Sequence, residues 1–173
     1  MARKIVSSKF FDRPTLDVAK ELLGTFLVRK KGDMIISSMI TDVEAYVGPT
    51  DRASHASRGR TLRTEVMFGK PGCWYIYLIY GMYYCLNIVT EKQDYPAAIL
   101  IRGVEGISGP GRVSRHFKIH TSLNALPANH KTGLWIEDRG IKIHPHHIKH
   151  GTRIGVDYAG RRWKDKKWRF YLD

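Results

Sequence analysis

Residues 72–89 read GCWYIYLIYGMYYCLNIV, and this stretch decides the fold. β-Branched and aromatic residues fill both halves, Gly81 stands between them, and five of the nine tyrosines lie between Tyr75 and Tyr84. Two strands joined by a tight turn are expected. Alternation puts Trp74, Ile76 and Leu78 on one face, assigned to the sheet core. The tip Tyr80-Gly81-Met82-Tyr83 cannot be core on both sides. Large side chains around a glycine turn form an exposed apolar patch, which calls for a partner, and their shape suits a wedge between stacked bases.

Outward from this hairpin, the turn residues Asp94 to Pro96 precede a strand over Ala97–Val104. Gly109-Pro110-Gly111 leads into a short helix expected from Arg112 to Lys118, its free N–H groups turned toward an anion. Upstream, Thr25–Arg29 and Met34–Tyr46 are β-rich and joined by Lys31-Gly32-Asp33, a second hairpin. Residues 12–24, DRPTLDVAKELLG, carry Leu16, Ala19, Leu22 and Leu23 at helical spacing between Pro14 and Gly24, a short amphipathic helix. Gly48 to Arg63 is a basic loop too long for a mere connector. Strand-like runs return at Arg153–Tyr158 and Trp168–Leu172 around a basic turn, Arg161 to Lys167, whereas residues 120–150 give no clear element. Strands and helices without regular alternation predict a mixed α/β (α+β) fold. The expected architecture is one compact domain over residues 1–173, around a mostly antiparallel curved sheet with a protruding β-hairpin.

Composition narrows the function. A chain of 173 residues with 43% hydrophobic and 26% charged residues is globular and long enough for a full core. No run reaches the roughly 18 apolar residues of a membrane helix. The start, MARKIVSSKFFDRP, has no apolar segment or small-residue cleavage site, so an intracellular location and no membrane partner are expected. Cys73 and Cys85 lack metal-ligand spacing and read as reduced, packed thiols. Against 16 Asp and Glu stand 29 Lys and Arg, a formal charge of +13, and a polyanion such as nucleic acid is the natural partner.

Chemistry concentrates in ITDVEAYVG. If 34–46 is a strand, Ile40, Asp42, Glu44 and Tyr46 share one face, with Thr41, Val43 and Ala45 on the other. Most glutamates in such a place are solvated and idle, but His55, the tyrosine hairpin and Asn87 follow closely. Together they suit a pocket for a flat, π-rich ligand with a few directed polar groups. For a basic protein that ligand is a nucleobase, which must first leave the stack.

The runs FFDRP, VEAYVGPTDRASHASRGRT, MFGKPGCWYIYLIYGMYYCLNIV, AAILIRGVE, SGPG and WRFY, in this order, resemble the alkyladenine DNA glycosylases, also called methylpurine or 3-methyladenine DNA glycosylases. The resemblance implies a monofunctional hydrolase that cuts the N-glycosidic bond of alkylated or deaminated purines in double-stranded DNA, without a cofactor, in a DNA-associated location, and we expect a monomer. Glu44 resembles the general base and Arg102 the residue that helps hold the attacking water. Tyr46, His55 and Tyr77 resemble the walls of the base pocket, and Asn87 the group that crowds the amino group of guanine. Tyr80 resembles the side chain that fills the gap left by the flipped nucleotide, with Met82 and Tyr83 beside it, and Arg112 a phosphate contact.

Other features of the sequence suggest competing readings. His144, His146, His147 and His150 suggest metal, but Pro145 breaks regular geometry, and a basic solvated loop is preferred. Lys70 in GKPG suggests a covalent nucleophile, and its turn position favours a structural or phosphate-facing role. A non-catalytic module that stacks bases on tyrosines accounts for charge and aromatics but leaves Glu44 and Arg102 idle.

Overall fold

The structure, a computed structural model, describes residues 3–173. Its strands are β1 (Lys4–Ile5), β2 (Phe26–Lys31), β3 (Met34–Val47), β4 (Trp74–Ile79), β5 (Tyr83–Val89), β6 (Ala97–Val104), β7 (Ile107–Ser108), β8 (Leu134–Asp138), β9 (Lys149–Gly151) and β10 (Arg169–Tyr171). The helices are α1 (Ser8–Phe11), α2 (Thr15–Leu22), α3 (Pro110–His116) and α4 (Arg161–Lys164). The main path of the sheet runs β1-β8-β2-β3-β6-β5-β4; β10 pairs with β3 and β9, and β7 with β6. Every strand pair is antiparallel. The sheet is not closed into a barrel, and the mixed α/β expectation holds.

Alternation along the central strands gives the sheet two unlike faces. Val43 and Ala45 of β3, Trp74 and Ile76 of β4, Leu86 and Ile88 of β5, and Ile99 and Ile101 of β6 pack with Val18 and Leu22 of α2 and Val113 and Phe117 of α3. Each Val, Leu, Ile or Phe side chain among them, withdrawn from water, contributes about 1.5–3 kcal/mol. Residues of opposite parity, among them Glu44, Tyr75, Asn87 and Arg102, are left to the other face, where the site forms.

One break in the alternation matters. The β3–β6 register shifts between Ile40 and Asp42 and again between Asp42 and Val43. Ile40 therefore lies in the apolar core with Val43 and Ala45, not on the Asp42 and Glu44 face as strict alternation predicts. A bulge moves side chains from one face to the other and bends the strand. Gly103 meets it from β6: a Cβ there would lie 2.9 Å from the Asp42 Cβ.

The hairpin leaves the body of the protein at its far end. Trp74 and Ile76 are buried, but Leu78, expected in the core, is 42% exposed. At the tip, Tyr80 (φ 54°) and Gly81 (φ 65°) are both left-handed, and the turn closes with Met82 N–H donating to the Ile79 carbonyl at 3.2 Å. Glycine adopts this conformation freely, whereas a bulky tyrosine rarely does.

Elsewhere the boundaries shift for local reasons. Helix α2 lies inside residues 12–24 as expected, and α3 starts two residues early, at Pro110, whose fixed φ suits a first turn. The strand expected over Arg153–Tyr158 is absent. Gly155 turns the chain at φ 75°, Asp157–Ala159 forms a 3-10 turn, and the strand lies earlier, as β9. Strand β8 lies in the unread region, and four of its five residues are buried in a row, which removes the period of two.

Gly103→Ala will destabilise the protein by about 1–3 kcal/mol, the cost of overpacking a closed site, measured by urea unfolding. A variant as stable as wild type would show that the bulge yields freely.

Candidate active site

The polar face of the sheet lines a cavity of about 450 Å³ that includes Glu44, Tyr46, His55, Tyr75, Tyr77, Tyr80, Asn87, Leu100, Arg102, Ile154 and Tyr158. β3 supplies the first two, β4 Tyr75 and Tyr77, the hairpin turn Tyr80, β5 Asn87, and β6 Leu100 and Arg102. The loop after β3 contributes His55 from a 3-10 turn, where the Ser54 side chain accepts the Ala56 N–H. The segment after β9 contributes Ile154 and Tyr158. Seven of the sequence-predicted residues, Glu44, Arg102, Tyr46, His55, Tyr77, Asn87 and Tyr80, thus line one cavity.

Glu44 is wholly buried. The Tyr46 hydroxyl donates to its Oε2 at 2.8 Å, and the Ile154 N–H donates to its Oε1 at 2.9 Å. Arg102 stands between two carboxylates, 3.6 Å from Glu44 Oε1 and 3.7 Å from Asp42 Oδ2, and its buried Nε has no hydrogen-bond partner. Asp42 is itself gripped by Arg169 through Nε at 3.0 Å and Nη2 at 2.8 Å. Burial raises the Glu44 pKa above the usual carboxylate range against the pull of Ile154, Arg102 and Tyr46. A base of raised pKa is a stronger proton acceptor near neutral pH. Burial and the facing Glu44 push the Tyr46 phenol well up, so it remains a donor.

The walls are aromatic. His55 meets Tyr77 edge-on at 4.8 Å, and its Nδ1 lies 3.2 Å from the Tyr75 hydroxyl. Burial, with Arg63 and Arg58 nearby, lowers His55 to about 4, so the ring is neutral at working pH. The Arg63 guanidinium sits 4.9 Å from the Tyr77 ring centre. Asn87 is buried and anchored by Nδ2, which donates to the Tyr75 carbonyl at 3.1 Å.

The hairpin tip divides this cavity from a smaller cleft. Tyr80, 83% exposed, lines the cavity, whereas Met82 and Tyr83 line a cleft of about 250 Å³ with Gly111, Ser114, Arg115 and Lys118. Arg112 is exposed on α3 and outside both. Lys70 is exposed and also lies outside the cavity lining. His144, His146 and His147 cluster on an exposed turn, while His150 packs on Phe170. Among the described residues no group of three or more His, Cys, Asp or Glu is placed to hold a metal ion.

Sequence reasoning missed Ile154, Tyr158, Arg169 and the buried pair Arg153–Asp51. Ile154 acts through its backbone and so leaves no side-chain signal. Arg169 carried one available clue: it lies in a strand run, and pairing opposite Glu44 places it beside Asp42.

The family described as methylpurine-DNA glycosylase (MPG) matches residues 9–109 and 104–173. A protein of Methanocella arvoryzae is 43% identical across 96% of this chain and 92% of its own length. One from Legionella pneumophila is 44% identical across 94% and 91%, and one from a Wolbachia of Brugia malayi 43% across 99% of both. All three bear the name "Putative 3-methyladenine DNA glycosylase".

The lowered His55 value ties this wall to stability. Unfolded, the ring binds a proton near pH 6.5; folded, it resists until about pH 4, so its contribution is present above the unfolded value and is lost as pH falls between the two. Urea unfolding at pH 7 and pH 5 should show wild type losing more stability than His55→Gln over that interval. Equal losses would show that His55 is free to protonate in the fold.

Proposed function

Since the chain belongs to the methylpurine-DNA glycosylase family, we propose that this DNA glycosylase flips alkylated or deaminated purines out of duplex DNA and hydrolyses their N-glycosidic bond with an activated water. The observation that carries the proposal is the wholly buried, doubly hydrogen-bonded Glu44 in an aromatic cavity beside an exposed tyrosine tip. The ionised carboxylate faces the sugar of the flipped nucleotide. As the base departs, positive charge grows on the sugar; Glu44 stabilises that charge and takes the proton of the water that bonds to the anomeric carbon. Arg102 holds the same water with donor capacity that neither carboxylate uses at close range.

Tyr46, His55 and Tyr77 stack on or edge the base. An alkylated purine is already cationic, which stacked tyrosines favour by roughly 0.5–2 kcal/mol, and it departs without an acid. With the Tyr75 hydroxyl donating to His55 Nδ1, Nε2–H is left to donate to a base acceptor. Asn87, fixed in place, crowds the exocyclic amino group of guanine. Tyr80 fills the vacated stack, with Met82 and Tyr83 against neighbouring nucleotides and Arg112 toward a phosphate. The active species is a monomer that needs no cofactor.

Glu44→Gln will bind lesion duplex as wild type does, while single-turnover excision falls by about two to four orders of magnitude, the scale of a lost general base. Excision near the wild-type rate would remove Glu44 from that role. With wild type and 7-methylguanine, whose loss needs no acid, the rate will fall as pH drops through the raised Glu44 pKa.

Tyr80→Ala will reduce excision of hypoxanthine paired with thymine by the equivalent of about 1–3 kcal/mol, and much less from single strands, where extrusion costs little. Because Tyr80 is exposed, its melting temperature should not change. Uniform loss on both substrates would rule out the wedge.

A further inference from the structure

Close to Glu44 in the fold lies a second polar cluster, Arg153 and Asp51, that is not part of the cavity lining. The side chains of Arg153 and Asp51 are both 0% exposed. Arg153 Nη1 donates to Asp51 Oδ2 at 2.5 Å and to the Ala45 carbonyl at 3.0 Å. Nη2 donates to Asp51 Oδ1 at 3.0 Å and to the Trp163 carbonyl at 3.1 Å. Asp51 also accepts the N–H groups of Val47 and Ala53, each at 3.1 Å. One ion pair therefore ties together the end of β3, the loop that carries His55, and the segment after β9.

This junction leads directly to the candidate base. The residue after Arg153 is Ile154, whose N–H bonds Glu44 Oε1. The guanidinium lies 4.9 Å from the ring centre of Tyr46, whose hydroxyl bonds Oε2, and 5.1 Å from that of Trp168. Both hydrogen-bond donors to Glu44 rest on Arg153. A buried ion pair often adds little net stability compared with an apolar replacement, because both charges lose their water. What a planar fork with four satisfied donors supplies is orientation.

We propose that Arg153 and Asp51 are positioning residues of the site: their ion pair holds the Ile154 N–H and the Tyr46 hydroxyl against the two oxygens of Glu44 and so aims the carboxylate at the attacking water. The catalytic meaning rests on the glycosylase reading; the positioning itself does not.

Two physical effects of Asp51→Asn have opposite signs and separate this role from simple electrostatics. Removing a negative charge near Glu44 and leaving Arg153 unpaired lowers the Glu44 pKa. Losing the aimed donors, which favour the carboxylate, raises it. The other groups that face Glu44 are Asp42 on β3, Arg102 on β6, Cys85 on β5, Arg169 on β10 and Tyr158 after β9, and the substitution leaves them in place.

The test is carbon-13 NMR titration of the free protein labelled at the glutamate side-chain carboxyl, with the Glu44 signal identified by its absence in Glu44→Gln. Asp51→Asn should move the Glu44 midpoint up by about one pH unit. Arg153→Lys, which keeps the charge but loses the fork, should move it the same way and guards against an Asp51→Asn that folds poorly. Tyr46→Phe, which deletes one donor outright, sets the scale. The acidic limb of 7-methylguanine release should follow with the same sign. A Glu44 midpoint that stays put or falls in both variants would overturn the positioning role, as would a uniform loss of rate at every pH with the limb unmoved. A wild type that releases no base overturns the glycosylase reading instead and leaves the titration result standing.

Discussion

The site depends on the removal of one carboxylate from water. An isolated charge at the Glu44 position would cost far more than a fold can spare, so the chain must bring partners to it from several distant segments. Tyr46 comes from the same strand, Arg102 from β6, and Ile154 from a loop 110 residues away in sequence. The bulge in β3, the clearance at Gly103 and the grip of Arg169 on Asp42 all serve this convergence. Burial outweighs the partners and leaves the carboxylate with a raised pKa, so it is both paired and basic.

The cavity around that carboxylate is tuned by the same balance of burial and charge. His55 stands near Arg58 and Arg63 and stays neutral, so the wall carries no histidinium. The exposed Tyr80 at positive φ adds backbone strain of about 1–3 kcal/mol at the hairpin tip. Its neighbours across the turn face a separate cleft rich in basic groups, and the hairpin thus presents different chemistry on its two sides.

Most of the site was legible in the sequence because it lies on strands. A period of two is enough to place Glu44 beside Tyr46 and to separate both from Val43 and Ala45, and the resemblance supplied roles for the rest. The failures share a physical cause. The bulge changes parity between Ile40 and Val43 without any residue that announces it. Strand β8 is buried on both faces and so has no alternation to read. Arg153 looks like part of a β-rich run, but its partner Asp51 is 102 residues away, and no local pattern reveals a pairing at that distance. Leu78 has the parity of a core residue yet is exposed, because parity fixes a face and not what covers it.

The central claim is that this buried carboxylate turns water on the glycosidic bond. Product analysis tests it most directly: wild-type protein with a duplex carrying one 7-methylguanine, free purine and abasic strand quantified together, borohydride present in a parallel reaction. Free base and abasic sites in equal amount, an intact strand and no trapped protein adduct are expected. Tight binding without free base, or an adduct through Lys70, would contradict it.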